Sequence, residues 1–167
     1  MTTGLTPLTS TTEARIREIG SAEILVGIPS YNNADTVCHV VRAISVGLAK
    51  HFPGHRAVLV NSDGGSSDGT PAIVARTVID FQHFFIADQQ SILHRIVTPY
   101  YGIPGKGSAF RTIFEIARQL KARACAVVDA DLRSISPEWI ELLLRPIVEK
   151  GYDYVAPYYL RHKYDGT

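Results

Sequence analysis

Ile24-Leu25-Val26-Gly27-Ile28-Pro29-Ser30-Tyr31-Asn32-Asn33 is the stretch that decides the fold of this chain. Its aliphatic and β-branched run reads as a strand over Ile24 to Ile28, and Pro29 to Asn33 reads as the loop that ends it. Val37, Val40, Val41, Ile44 and Leu48 then recur at helical spacing up to about Lys50. Strand, loop and amphipathic helix make one βα unit.

The unit repeats along the chain. Ala57 to Val60 is a second strand and Asn61 to Gly69 a loop carrying Gly64, Gly65 and Gly69, after which Thr70-Pro71 opens a helix with an N-cap and a proline at its first position. Phe81 to Ser91 has aromatic residues but no clean period, and it is assigned no element. His94 to Thr98 reads as a third strand, leading through Pro99-Tyr100-Tyr101-Gly102-Ile103-Pro104-Gly105-Lys106-Gly107 into a helix in which Phe110, Ile113, Phe114, Ala117 and Leu120 share a face. Ala124 to Val128 is a fourth strand, and Ser136-Pro137 starts a capped helix to about Lys150. Pro146 should kink that helix or end it early, because its ring clashes with the carbonyl of Leu142. Tyr152 to Pro157 is a fifth strand, followed by a polar and aromatic tail, Tyr158 to Thr167. Upstream of the repeat, Met1 to Ser10 is a tail rich in Thr, Ser, Gly and Pro, and Ser10 with Glu13 fits a capping box for a short helix over about Thr11 to Ile19, closed by Gly20. The expectation is an α/β, Rossmann-like fold: a mostly parallel sheet with right-handed crossovers and helices on both faces.

The totals agree with one domain. A chain of 167 residues with 46% apolar and 20% charged residues has a globular balance. A net charge of +1 gives no reason to expect nucleic acid or an anionic membrane as partner. Cys38 and Cys125 lie far apart, outside any C-x-x-C pattern and in apolar contexts, and read as buried free thiols of a reducing compartment. Neither a signal-peptide pattern at the N-terminus nor a run of about 18 apolar residues is present, so a cytoplasmic protein is expected. The oligomeric state is left open, a homo-oligomer included.

Four loops that follow strands gather on one edge of such a sheet, where open α/β folds hold ligands. Asp129-Ala130-Asp131 ends the fourth strand with two carboxylates one residue apart, hard oxygen donors suited to Mg²⁺ or Mn²⁺, although the same tripeptide also occurs in plain turns. In Asn61 to Thr70, Asp63 could accept from a base or ribose while Gly64 and Gly65 let the ligand approach the backbone; the same loop could be only a long turn. Asp68 suits a structural role at the start of the following helix. Lys106 between two glycines, just before a helix, pairs a point charge with exposed amides, which suits a phosphate as well as a surface turn. His39, His51, His55, His83 and His94 form no metal-ligand spacing. The G-x-S-x-G, G-x-x-x-x-G-K-[ST] and G-x-G-x-x-G patterns are all missing, which argues against a covalent hydrolase, a phosphate-loop nucleotidase and a dinucleotide-binding dehydrogenase.

The ordered set Pro29-Ser30-Tyr31-Asn32, Asp63 to Thr70, Gly105-Lys106-Gly107 with Ser108 to Arg111, and Asp129-Ala130-Asp131-Leu132 resembles the nucleotide-sugar half of GT-A glycosyltransferases of the family 2 type. It is nearest in flavour to glucosyl-3-phosphoglycerate and mannosylglycerate synthases. The resemblance covers about residues 22 to 160 and implies metal-dependent transfer of a sugar from a UDP- or GDP-linked donor to an acceptor hydroxyl. On the family's pattern Pro29, Ser30, Tyr31 and Asn32 line the nucleotide, Asp63 and Gly64 meet the base or ribose, and Lys106 lies by the base or diphosphate. Asp129, Ala130 and Asp131 complete that site, with Asp131 the principal ligand of Mg²⁺ or Mn²⁺ and Asp129 on the ribose or metal side. Arg161 and Lys163, in a basic and aromatic cluster, are candidates for a phosphorylated or carboxylated acceptor. The chain departs from the pattern in having Asp63-Gly64 where two adjacent acidic residues are usual. It also ends before the region that supplies the acceptor pocket and a catalytic base, so residues 21–167 are expected to be a truncated donor-binding domain after a tail and short helix over 1–20. A nucleotidyltransferase and a catalytically incompetent nucleotide-binding module are the alternatives; the former normally carries a glycine-rich loop that Pro29 to Asn33 does not form.

Overall fold

The computed structural model describes residues 8–79 and 93–158. Along the chain run α1 (Ser10–Ile19), β1 (Ile24–Ser30), α2 (Ala34–His51), β2 (Ala57–Asp63), α3 (Thr70–Arg76), β3 (Leu93–Pro99), α4 (Lys106–Gln119), β4 (Ala124–Val127) and α5 (Pro137–Val148). The strands form one parallel sheet in the order β3-β2-β1-β4.

Every residue of β1 and β2 is buried, as expected of central strands covered on both faces. Alternate side chains enter two separate cores. Ile24, Val26, Ile28 and Leu59 pack with Val37, Val41, Ile44 and Leu48 of α2 and Ile140 and Leu144 of α5. Leu25, Val58, Val60 and Ile96 pack on the opposite face with Ile16 and Ile19 of α1 and Ile113, Ile116 and Leu120 of α4. The handedness of crossovers explains this division. The chain moves from β1 outward to β2 and β3, then returns past β2 and β1 to β4; right-handed connections running in opposite directions must lie on opposite faces. Gly27 lets α4 sit close on the sheet, since a Cβ there would lie 2.5 Å from Ile113 Cγ2.

Several sequence-based expectations change. Tyr152 to Pro157 forms no strand, and Tyr152 and Tyr154 are exposed. Aromatic and β-branched content favours a strand only when a neighbour completes the ladder, and this stretch pairs with none. The helix α5 runs through Pro146 to Val148. Pro146 has no N–H for the Leu142 carbonyl, and burial of Leu144 and Val148 on either side holds the helix to the core across that gap until it ends at Val148, short of the Lys150 expected. Helix α1 is capped one residue earlier than the capping box implied, by the Thr9 side chain accepting from the Thr12 amide at 3.0 Å. Gly69, not Thr70, is the N-cap of α3. On α4, Phe114 points outward and meets Phe110 edge-on, while Ile116 takes its place in the core. Both cysteines are free and half-buried, and burial pushes the Cys125 thiol up to about 11.

Candidate functional site

The site begins where β1 and β4 part. Their ladder ends at Gly27 and Val127, closed by the Val128 amide donating to the Gly27 carbonyl at 2.9 Å, whereas β1 continues beside β2 as far as Ser30. Pro29 lies just past the last β4 pairing. The Gly27 carbonyl bonds toward β4 and the Ile28 and Ser30 carbonyls bond toward β2, so the nitrogen of Pro29 faces the side where the ladder has ended. A missing N–H costs nothing at that place. Because β2 and β4 flank β1 and are reached by crossovers on opposite faces, this is a topological switch point, where a crevice opens at the carboxyl ends of the strands.

A cleft of about 560 Å³ occupies it. Pro29, Ser30 and Tyr31 line it from the end of β1, Gly64 from the loop after β2, Lys106 from the start of α4, and Asp129, Ala130 and Asp131 from the turn after β4. Loops following all four strands therefore meet in one cavity. Thr36 in the first turn of α2 donates to the Ala130 carbonyl at 2.8 Å, which pins the Asp-Ala-Asp turn and fixes where both carboxylates stand. Lys106 Nζ lies 3.0 Å from Asp129 Oδ1. With side chains 67% and 27% exposed, this ion pair is worth at most about 1 kcal/mol, so a phosphate can compete for the lysine.

Two of the sequence-predicted residues do not line the cleft. Asn32, at φ 52°, joins two loops: its amide donates to Ser66 Oγ and its Oδ1 accepts from the Ser67 amide. Asp63 is buried, and its carboxylate accepts from Ser30 Oγ at 2.8 Å, Ser66 Oγ at 2.6 Å and the amides of Gly65 and Ser66 at 2.9 and 2.8 Å. It organises its own loop from within. Asp68 does the same nearby, accepting from the Ala34 amide and from both the amide and hydroxyl of Thr70. The Thr70 hydroxyl above all, reinforced by those amides, holds the Asp68 carboxyl below the usual carboxylate range. Arg161 and Lys163 lie outside the described residues, as does Phe81 to Ser91.

The cleft also contains residues that sequence reasoning did not single out, chiefly Tyr100, Asn33, Pro104 and Ala109. Tyr100 and Tyr101 are adjacent and chemically equivalent, and nothing local in the sequence tells which ring turns inward.

The donor set also bears on a metal. Among the described residues no three His, Cys, Asp or Glu side chains form a metal-holding group. Asp129 and Asp131 at the mouth of a cleft that also carries a lysine fit Mg²⁺ or Mn²⁺, which is commonly held by one or two carboxylates with waters and substrate phosphates. Asp131 also borders a second recess, shared with Asp35, Thr36, Asp68 and Arg133.

The family model described as Glycosyl transferase family 2 matches residues 25–167. Among solved structures, the chain is similar to glucosyl-3-phosphoglycerate synthase from Mycobacterium tuberculosis in complex with phosphoglyceric acid, at 20% identity and a TM-score of 0.55 over 80% of this chain and 44% of that one. It is similar to mannosyl-3-phosphoglycerate synthase from Rubrobacter xylanophilus at 23% identity and a TM-score of 0.54 over 86% of this chain and 41% of that one. The M. tuberculosis enzyme in complex with Mn²⁺, UDP-glucose and phosphoglyceric acid aligns at 20% identity and a TM-score of 0.51 over 83% of this chain and 42% of that one. At these identities the likeness speaks for the fold, and the chain spans less than half the length of these relatives. No curated protein matches the chain in sequence.

Proposed function

The chain belongs to glycosyl transferase family 2, and on that premise we propose that its cleft binds a nucleoside diphosphate sugar with Mg²⁺ or Mn²⁺ for transfer of the sugar to an acceptor hydroxyl. The observation that carries this reading is the meeting of Lys106, Asp129 and Asp131 in a cavity at the switch point of the sheet. A cation and two carboxylates suit a diphosphate and its metal better than they suit either ligand alone.

Each residue has a distinct task. Tyr31, 64% exposed at the end of β1, offers a ring face to the base. Pro29, Ser30 and Gly64 form a wall without long side chains, against which a nucleoside can lie close to the backbone. Asp131 holds the metal, with Asp129 beside it, and Lys106 turns from Asp129 to the diphosphate oxygens. When bound, the metal neutralises the negative charge that develops on the diphosphate as it leaves. Asn32 and Asp63 act indirectly, by fixing the loops that shape the nucleotide wall. Residues 21–167 constitute the donor-binding domain in this reading.

The structural neighbours bound to phosphoglyceric acid favour a small phosphorylated or carboxylated acceptor, for which Arg161 and Lys163 supply the charge. The setting is cytoplasmic on this reading; no described helix is long and apolar enough to cross a membrane.

Thermal unfolding with UDP, GDP and their sugars, with and without Mn²⁺, tests the proposal. A ligand at 100 times its Kd stabilises the native state by about 2.7 kcal/mol, so the midpoint should rise with one nucleotide series and rise further with Mn²⁺. Asp131→Asn should remove the Mn²⁺-dependent part. A wild-type midpoint unmoved by every nucleotide contradicts the reading.

A further inference from the structure

The turn that joins β3 to α4 is fastened from an unexpected direction. Its backbone includes Gly102 at φ 111° and Gly105 at φ 142°, conformations that only glycine adopts freely, and α4 receives no side-chain cap from its N-cap residue, Gly105. The cap is remote instead. The Gly105 amide donates to the hydroxyl of Tyr100 at 2.9 Å, across the turn. Tyr100 is itself anchored, because its amide donates to the Asp63 carbonyl at 3.1 Å at the end of β2. Lys106, the residue that reaches Asp129, follows Gly105 directly.

The ring of Tyr100 has a second contact that depends on Gly64. A Cβ at position 64 would lie 3.0 Å from Tyr100 Oη, 3.2 Å from Tyr100 Cε1 and 3.2 Å from Tyr31 Cδ2. Two tyrosine rings thus close over the space that a side chain at 64 would claim. A side chain at 64 would press on both rings, and Tyr100 in turn holds the turn before the lysine.

We propose that Tyr100 is a positioning residue of the nucleotide cleft: its ring stands over Gly64 and its hydroxyl fixes Gly105, so that engagement of a diphosphate by Lys106 depends on it. The inference rests on the nucleotide-sugar reading above and adds to it a residue that acts through another. The neighbouring Tyr101 has no such contact, and it provides an internal control.

The test is a double-mutant cycle on the full chain, with UDP and GDP plus Mn²⁺ as probes and Kd measured by isothermal titration calorimetry. Tyr100→Phe keeps the ring and loses the hydroxyl, and it should weaken the better-bound nucleotide roughly two- to fivefold, the worth of one partly solvated hydrogen bond. In a Lys106→Ala background the same change should have no further effect, because the lysine through which it acts is gone. Tyr101→Phe should bind as the wild type does, and unfolding midpoints without ligand separate these effects from loss of fold. An unchanged Kd for Tyr100→Phe, or an equal loss with and without Lys106, overturns the proposal while leaving the nucleotide reading intact. A wild-type chain that binds neither nucleotide overturns both.

Discussion

Four hydrogen bonds converge on the carboxylate of Asp63, and they fill the acceptor positions that its two oxygens offer. A buried carboxylate so enclosed holds the loop after β2 together, and the network extends through Ser30 to Asn61, whose Nδ2 donates to Ser30 Oγ at 2.8 Å. Asp63→Ala should therefore destabilise the fold by about 2–4 kcal/mol in urea unfolding, because the amides of Gly65 and Ser66 and the hydroxyls of Ser30 and Ser66 lose their buried acceptor. An isoenergetic variant would show the carboxylate to be dispensable to the loop. Asp129 and Asp131 differ in kind: among the described residues Asp129 pairs with an exposed lysine, and both carboxylate-bearing residues border a cavity. The sequence alone could not separate these roles. An aspartate in a Gly/Ser loop can serve its own amides or a ligand equally well, and only the fold shows that Asp63 turns inward while the pair after β4 turns out. The choice between Tyr100 and Tyr101 was hidden for the same reason.

Elements were legible wherever their periodicity was strong. Val37, Val40, Val41, Ile44 and Leu48 are all buried on α2 as their helical spacing implies, and the alternation along β1 delivers one set of side chains to each core. Legibility failed where one element's existence depends on another, as at Tyr152 to Pro157, which has strand composition but no partner. The seam between α2 and α5 shows what the ends of elements add. Glu138 in the first turn of α5 accepts from Ser136 Oγ at 2.7 Å and from Lys50 Nζ of α2 at 3.0 Å. Ser136 first, then Lys50, draws its carboxyl down from 4.5 to about 2. A carboxyl with a depressed folded pKa stabilises fully above its unfolded value and loses that contribution as pH falls toward the folded one. Glu138→Gln should accordingly cost at most about 1 kcal/mol near neutral pH, since the pair is half exposed, and the deficit should shrink between pH 4.5 and about 2. Urea midpoints across that range check it; a deficit independent of pH would assign the effect to something other than this charge.

At the scale of the whole molecule, the order β3-β2-β1-β4 matters more than any motif. Repetition of βα units predicted a parallel sheet with helices on both faces, and handed crossovers explain why α2, which leads outward from β1, and α4, which leads back to β4, lie on opposite faces. Short motifs far apart in the sequence, Lys106 and Asp129 being 23 residues apart, become one cleft because the chain reverses direction after β3 and brings β4 back beside β1. That return places the Asp129-Ala130-Asp131 turn next to Ser30 and Tyr31, with Lys106 delivered by the helix that makes the crossing. On the proposed function, this cleft joins a nucleoside diphosphate to a divalent metal through Asp131. The most direct measurement is water-proton relaxation during titration of Mn²⁺ into the chain with UDP or GDP present. An enhancement above that of the Mn²⁺–nucleotide complex alone, lost in Asp131→Asn, is the expected result. Equal relaxation for the wild type and the variant, or nucleotide binding of the same strength in EDTA, would contradict it.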